Sequence, residues 1–339
     1  MMLKLTRSIT LTAAMLSASV STLANDSIDY TPKIHGVVRT RLEVATETGD
    51  YRFQVRNARL SVNGNIASTI SYHINTDFCD QGKIKILDAW GRISLTDGLA
   101  FQAGQFRMPF GVEPFRGPLN YIFANRAFIG KQMCNVRAVG VKACYSFNTI
   151  PLDIEAGAFN PTAIGDHSGW HNTLACAGKI SYRIGNITLT TGLQSIIPDS
   201  VRTNLIDGCI SWKSGRWIVE GEYMNKHYTR SRHKTCHGFN LYADYWLPIN
   251  AGIFNRLSFQ GRIDGMTDHS NSQRNDDGLL STDDPARNRI TAGATISHIK
   301  SKNLFLDLRA NYEKYFYHNG ADRTPYDGDK AMIEMILRF

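Results

Sequence analysis

Residues 304–313 read Leu-Phe-Leu-Asp-Leu-Arg-Ala-Asn-Tyr-Glu. Successive side chains of an extended chain point to opposite faces. Leu304, Leu306, Leu308 and Ala310 therefore share one face, and Asp307, Arg309, Asn311 and Glu313 the other. One apolar and one charged face make a strand that separates two different solvents. The same period of two recurs along the chain. Ile34, Gly36, Val38, Leu42 and Val44 oppose Arg39, Arg41 and Glu43. Ile70, Tyr72, Ile74 and Phe78 oppose Ser71, His73, Asn75 and Asp77. Phe239, Leu241, Ala243, Tyr245 and Leu247 oppose Asn240, Tyr242 and Asp244, and Leu257, Phe259 and Ile263 oppose Arg256, Gln260, Arg262 and Asp264.

One stretch changes phase. In 52–64, Phe53 and Val55 are odd, whereas Ala58, Leu60 and Val62 are even. A one-residue bulge near Arg56-Asn57 restores the register and turns Arg59 to the polar side beside Arg52. In all the pattern predicts about sixteen strands, beginning at 33–45 and ending at 330–339, and no long amphipathic helix.

The connections order these strands. Those after even-numbered strands are short, such as Asn65 to Ala67, Asp97 and Ser214; several after odd-numbered strands are long, namely 108–136, 161–170, 229–235, 268–285 and 318–329. Short turns on one rim and long loops on the other mark a bacterial outer-membrane barrel, with the turns periplasmic and the loops extracellular. A soluble sandwich has the periodicity but no reason to sort its loops. The expected fold is all-β: a closed antiparallel transmembrane barrel. The last residues, Met332 to Phe339, form a strand ending on an aromatic, with Phe339 on the apolar face beside Ile333, Met335 and Leu337. This end resembles the signal read by the barrel-assembly machinery.

Residues 1–24 read as a secretory signal: Lys4 and Arg7, a small apolar stretch from Ile9 to Val20, then Thr22-Leu23-Ala24. Cleavage is expected after Ala24, leaving 25–339 as the barrel domain. It removes two bases and no acid, so the formal charge falls from +8 to +6. A moderately basic chain favours anionic partners; no nucleic-acid partner is expected. The six cysteines, Cys79, Cys134, Cys144, Cys176, Cys209 and Cys236, form no CxxC and no framework, and read as small strand or loop residues.

The motifs then show a likeness. Pro32-Lys33-Ile34-His35-Gly36, Phe53 to Val62, Ile86-Leu87-Asp88-Ala89-Trp90 and, above all, Gly104-Gln105-Phe106-Arg107-Met108-Pro109-Phe110-Gly111 resemble the phosphate-selective porin O and P family, in its Bacteroides-type branch. Phe123 to Ile129 and Asn135 to Gly140 continue the likeness. The resemblance implies a sixteen-stranded homotrimeric porin with an inward-folded loop and basic residues along the pore.

Segment 107–137 carries the candidate site. It holds Arg107, Arg116, Arg126, Lys131 and Arg137 against one acid, Glu113. Phe110, Phe115, Tyr121, Phe123 and Phe128 are interspersed. A loop so apolar is expected to fold into the lumen, pack on the wall and narrow the pore at 108–136. A ring of cations at a constriction selects anions. Arg39, Arg41, Arg59 and Lys142, with Arg92, Lys179, Arg183 and Arg262, fall on polar faces and are further lining candidates. The expected function is passive diffusion of small anions, phosphate or polyphosphate among the candidates, in the outer membrane. Outer-membrane lipid is the expected surrounding, and no catalytic residue, cofactor or metal is assigned. His227, His233, Cys236 and His237 match no zinc spacing, and Asp276, Asp277, Asp283 and Asp284 lack the EF-hand spacing. The alternatives are a general non-selective porin, a phospholipase- or protease-like barrel enzyme, and a nutrient-docking or adhesive barrel.

Overall fold

The computed structural model describes residues 28–80, 82–161, 164, 169–197, 201–270, 280–282, 284–318 and 327–339. The secretory signal, Asp276, Asp277 and Asp283 lie outside the described residues. Sixteen strands follow one another: β1 (Lys33–Ala45), β2 (Tyr51–Ala67), β3 (Ile70–Asp80), β4 (Lys83–Ser94), β5 (Leu99–Arg107), β6 (Arg137–Ser146), β7 (Leu152–Phe159), β8 (Ala175–Ile184), β9 (Ile187–Ile196), β10 (Thr203–Ser214), β11 (Trp217–Tyr228), β12 (Cys236–Ala251), β13 (Phe254–Met266), β14 (Arg287–Ser301), β15 (Leu304–Tyr317) and β16 (Lys330–Arg338). Each pairs antiparallel with its neighbours, and β1 closes on β16. The strands thus fall where the two-residue period puts them, apart from ends that shift by a few residues. Among the described residues no helix is long and apolar enough to cross a membrane.

Closure satisfies every strand edge, as a hydrocarbon surround requires. Its last hydrogen bonds join the backbones of Gly36 and Phe339, N to O at 2.7 Å and back at 3.2 Å. The Phe339 ring lies where a Cβ of residue 36 would stand, so any larger residue there would have to displace that ring.

The two faces differ as the alternation requires. Phe53, Ile74, Leu193, Ile210, Leu241, Phe259 and Ile333 are exposed on the outside. Arg39, Arg41, Asp207, Glu220, Asn240, Arg262, Asp264, Arg289, Glu313 and Glu334 are buried on the inside. A band of exposed large apolar side chains running around a barrel needs lipid, not water, against it. Aromatics edge the band. Tyr145 and Phe147 meet at 4.7 Å, and Trp217 and Tyr245 at 4.5 Å, on the rim of short turns; Tyr51 and Phe53 meet at 6.1 Å on the rim of long loops.

The bulge is in β2. Arg39 pairs with Asn57 but Thr40 pairs with Val55, leaving Arg56 as the extra residue. Arg56 and Asn57 both turn inward, and the phases on either side both keep their apolar residues outside. Arg59 then reaches Asp77 at 2.7 Å.

Candidate functional site

The segment between β5 and β6 crosses the lumen. Arg39 and Arg41 of β1 donate to its Ala124 carbonyl at 3.1 and 3.3 Å. Asn135, close to its far end, exchanges hydrogen bonds with Gln194 of β9 at 2.8 and 3.1 Å. β1 and β9 stand on opposite sides of a sixteen-strand ring. Wall arginines clasp the loop backbone further: Arg262 reaches Asn125 O, Arg289 reaches Arg126 O, and Arg309 reaches Tyr121 O, each at 2.8 Å. Wall acids take its amides. Glu222 accepts from Val112 N and Glu113 N, both at 2.8 Å, and Asp264 accepts from Phe128 N at 3.1 Å. Phe110, Phe123, Phe128, Ile129 and Met133 are all buried beneath the loop. Each such side chain adds about 1.5–3 kcal/mol of burial, so the loop is fixed by apolar contact and polar clasp together.

The five cations of 107–137 do not form one ring. Arg116 is drawn to the wall, where it bonds Glu220 at 2.5 Å, Glu113 at 2.8 Å and Tyr242 Oη at 3.0 Å. Burial opposes its charge, but Tyr242, Glu113 and Glu220 together hold its pKa above the ordinary arginine value. Arg137 forms a fork on Asp88 at 2.9 and 3.1 Å. Lys131 stands 3.8 Å from Asp327. Arg107 donates to Pro114 O at 2.6 Å, and Arg126 to Glu113 O and Pro114 O at 3.4 and 3.3 Å. Counting charge along the segment overlooked wall carboxylates that are distant in sequence. Lys142 bonds Glu155 on the neighbouring strand, and Lys179 lies 3.2 Å from the same carboxylate.

Two cavities lie beside the loop. The larger, about 770 Å³, is on the long-loop side against β1 and β2. Its lining includes Arg39, Arg41, Arg52, Arg56, Arg59, Arg126, Lys131, Arg289 and Lys330, with only Glu43 and Asp327 as acids among the described residues. The smaller, about 390 Å³, is on the short-turn side and is lined by Arg59, Arg107, Arg137 and Arg338, with Asp88, His35 and His73. Arg59 borders both. On the opposite flank, Glu113, Arg116, Tyr242 and Arg262 leave a space of only about 10 Å³, too little for more than a water.

The candidates therefore divide. Arg39, Arg41, Arg59, Arg107, Arg126, Lys131 and Arg137 border one of the two cavities, and Arg116 and Lys142 border neither. Arg52, Arg56, Arg289 and Lys330 also border the larger cavity and were not singled out by sequence. Arg56 carried a signal all the same, because a bulge adds a residue to one face. It is exposed and makes no hydrogen bond or ion pair with the described residues.

All six cysteines are free thiols, and burial pushes the Cys134 thiol up to about 12. Cys209, Glu220 and Glu222 come close enough to share an ion, but Arg116 and the two loop amides already occupy the carboxylates. Cys236 and His237 belong to β12 and His227 to β11, so of the four only His233 lies in a loop.

Comparison with known proteins agrees with this geometry. The family description "Phosphate-selective porin O and P" matches residues 33–181. No curated protein sequence matches the chain. Among solved structures, Salmonella typhi OmpF in complex with daunomycin is 14% identical, covering 94% of this chain and 99% of that one at a TM-score of 0.63. The trimer form of OmpT, an outer membrane protein of Vibrio cholerae, is 12% identical over 91% and 99% at 0.61. The anion-selective porin of Comamonas acidovorans is 13% identical over 91% and 98% at 0.57. A closed lipid-facing barrel, a loop folded across its lumen and these likenesses converge on one architecture: the chain has the porin fold of the bacterial outer membrane.

Proposed function

We propose that this barrel is an anion-selective porin whose solutes pass along β1 and β2, beside the folded-in loop. The observation that carries this reading is the lining of the larger cavity, nine basic residues to two acidic ones; carboxylates of the wall pair with Arg39, Arg41, Arg52, Arg59, Lys131 and Arg289, and Arg56 faces the cavity without one. A low-dielectric wall with one sign of charge concentrates counter-ions, here small anions. Arg59 takes the solute from one cavity to the other, and segment 108–136 is the constriction. Each guanidinium can hold two oxygens of a phosphate in a fork, so phosphate and polyphosphate suit the passage. Carboxylates at its edge, such as Asp77 and Asp88, compete for the same guanidinium groups and keep binding weak enough for release. The match at 33–181 and the anion-selective porin among the structural neighbours favour this channel reading over a barrel enzyme. The motif Gly104 to Gly111 is the part that points to a Bacteroides-type porin. A homotrimer is the proposed assembly, by analogy with the trimer form of the Vibrio cholerae protein.

The test is reversal potential across a planar bilayer in chloride and phosphate gradients. Replacing Arg56 and Arg126 together by Glu should move it toward cation preference at low salt. An unchanged reversal potential would remove these residues, and this cavity, from the conduction path.

A further inference from the structure

We propose that the smaller cavity binds a phosphorylated sugar, by its hydroxylated body as well as by its phosphate. The proposal deepens the anion-channel reading, on which it rests for the solute's route, but it draws on other side chains.

Cross-strand pairing sets the wall of this cavity in rows. Arg59 of β2 stands opposite Asp77 of β3. Next, toward the short turns, come His35, Ser61, Asn75 and Asp88 on β1 to β4. One row further, Asn63 stands opposite His73, whose ring stacks on Trp90 at 5.4 Å. On β2 and β3, charge thus gives way to neutral polar groups toward the short-turn rim.

Two of the four arginines are already balanced. Arg59 meets Asp77 at 2.7 Å, and Arg137 forks on Asp88. Arg107 donates to a carbonyl, Pro114 O, and Arg338 to an amide, Asn303 Oδ1, at 2.9 Å. Neither of these two forms an ion pair with the described residues. Two positive charges are left over, and a phosphomonoester carries about two negative ones at pH 7. Protonation of His35 or His73 would only add to the surplus.

The neutral side receives the body of the solute. Asn63, His35, His73 and, from the loop, Asn120 line the cavity and make no side-chain hydrogen bond with the described residues. Each amide both donates and accepts, as sugar hydroxyls do. Pro118 and Leu119 give the same cavity an apolar edge for the C–H face of a ring. Its volume of about 390 Å³ falls within the roughly 300–1,000 Å³ of small-molecule sites. A free phosphate would neutralise the two arginines and leave the amides and imidazoles to water.

The experiment titrates the full detergent-solubilised protein with glucose-6-phosphate, inorganic phosphate and glucose. Phosphorus NMR line broadening reads the two phosphates, and proton saturation transfer reads glucose. The intact protein should hold glucose-6-phosphate about tenfold more tightly than inorganic phosphate, the effect of two ordinary hydrogen bonds. Glucose should not saturate in the same range. Asn63→Leu with Asn120→Leu should remove the preference, and Arg107→Gln with Arg338→Gln should weaken both phosphates. Heat-modifiable migration shows which variants fold, and the comparison of ligands on the intact protein needs no variant. Equal affinity for the two phosphates, glucose binding as tight as that of its phosphate, or a preference that survives in the asparagine double variant would each overturn the proposal. Binding is read at equilibrium and not as current, so this result and the reversal potential that tests the anion path can fail separately.

Discussion

Arg56 and Arg116 have the same side chain and opposite circumstances. Arg116 sits between two carboxylates beneath the loop, whereas Arg56 projects into the larger cavity from a bulge. Reversing Arg116 to Glu is therefore a poor probe of selectivity, because it sets a third acid beside Glu113 and Glu220. Breaking one partner of a buried pair costs about 3–5 kcal/mol. Arg116→Met should accordingly loosen the loop and give a noisier, larger conductance, checked by single-channel recording and by protease cleavage within 108–136. Arg56→Glu should leave stability unchanged and lower the anion-to-cation permeability ratio several-fold. That effect should shrink above about 1 M salt, where screening acts within about 3 Å. A third residue-scale outcome concerns closure. Gly36→Val should impair assembly into a heat-modifiable band, because its side chain would enter the space of the Phe339 ring.

At the scale of elements, the bulge in β2 makes a matched pair of deletions informative. Deleting Arg56 or deleting Asn57 each restores one-to-one pairing and keeps Val55 and Ala58 outside. Both variants should fold, as judged by circular dichroism and heat-modifiable migration. Only the loss of Arg56 should lower anion selectivity. Equal losses in the two would mean that the bend, and not the charge, is what matters. This bulge was legible in the sequence because a change of phase within one strand has a single inexpensive explanation. The strands and the sorted connections were legible for the same local reason, and the apolar loop was too greasy to leave in water. What could not be read was the partner of each charge. Arg39 meets Glu334 across the closure, and Arg116 meets Glu220 across the lumen. Such pairs join residues far apart in the chain, and a surplus counted within 107–137 includes none of the wall acids. Counting by face would have helped, since Glu220, Glu222, Glu313 and Glu334 all lie on inward phases of their strands. Even so, no alternation says which inward arginines clasp a loop and which meet solute.

For the whole molecule, the lumen divides lengthwise. One flank is closed by the loop, its buried aromatics and a net of ion pairs in which Arg289 meets both Asp264 and Glu313. The other flank holds the two basic cavities. Clasps distributed over β1, β9, β11, β13, β14 and β15 hold the loop from several directions, so no single clasp carries it. Glu222→Gln keeps one carbonyl acceptor for the two loop amides, and should therefore alter conductance less than Glu222→Ala, which leaves both amides buried and unpaired at about 1–3 kcal/mol each. Single-channel recording of the two variants, side by side, checks the order.

The one-sided wall of positive charge has a hydraulic consequence. A fixed cation that no wall carboxylate pairs with, such as Arg56, must be balanced by mobile anions in the water beside it, so under an applied voltage more anions than cations should carry the current through the larger cavity. Those ions drag solvent, and water should stream toward the positive electrode. An uncharged sugar small enough to enter would be swept along with that stream, faster at one polarity than at the other. Its transit should therefore depend on the sign of the voltage although it carries no charge, and the Arg56→Glu variant should reduce that asymmetry.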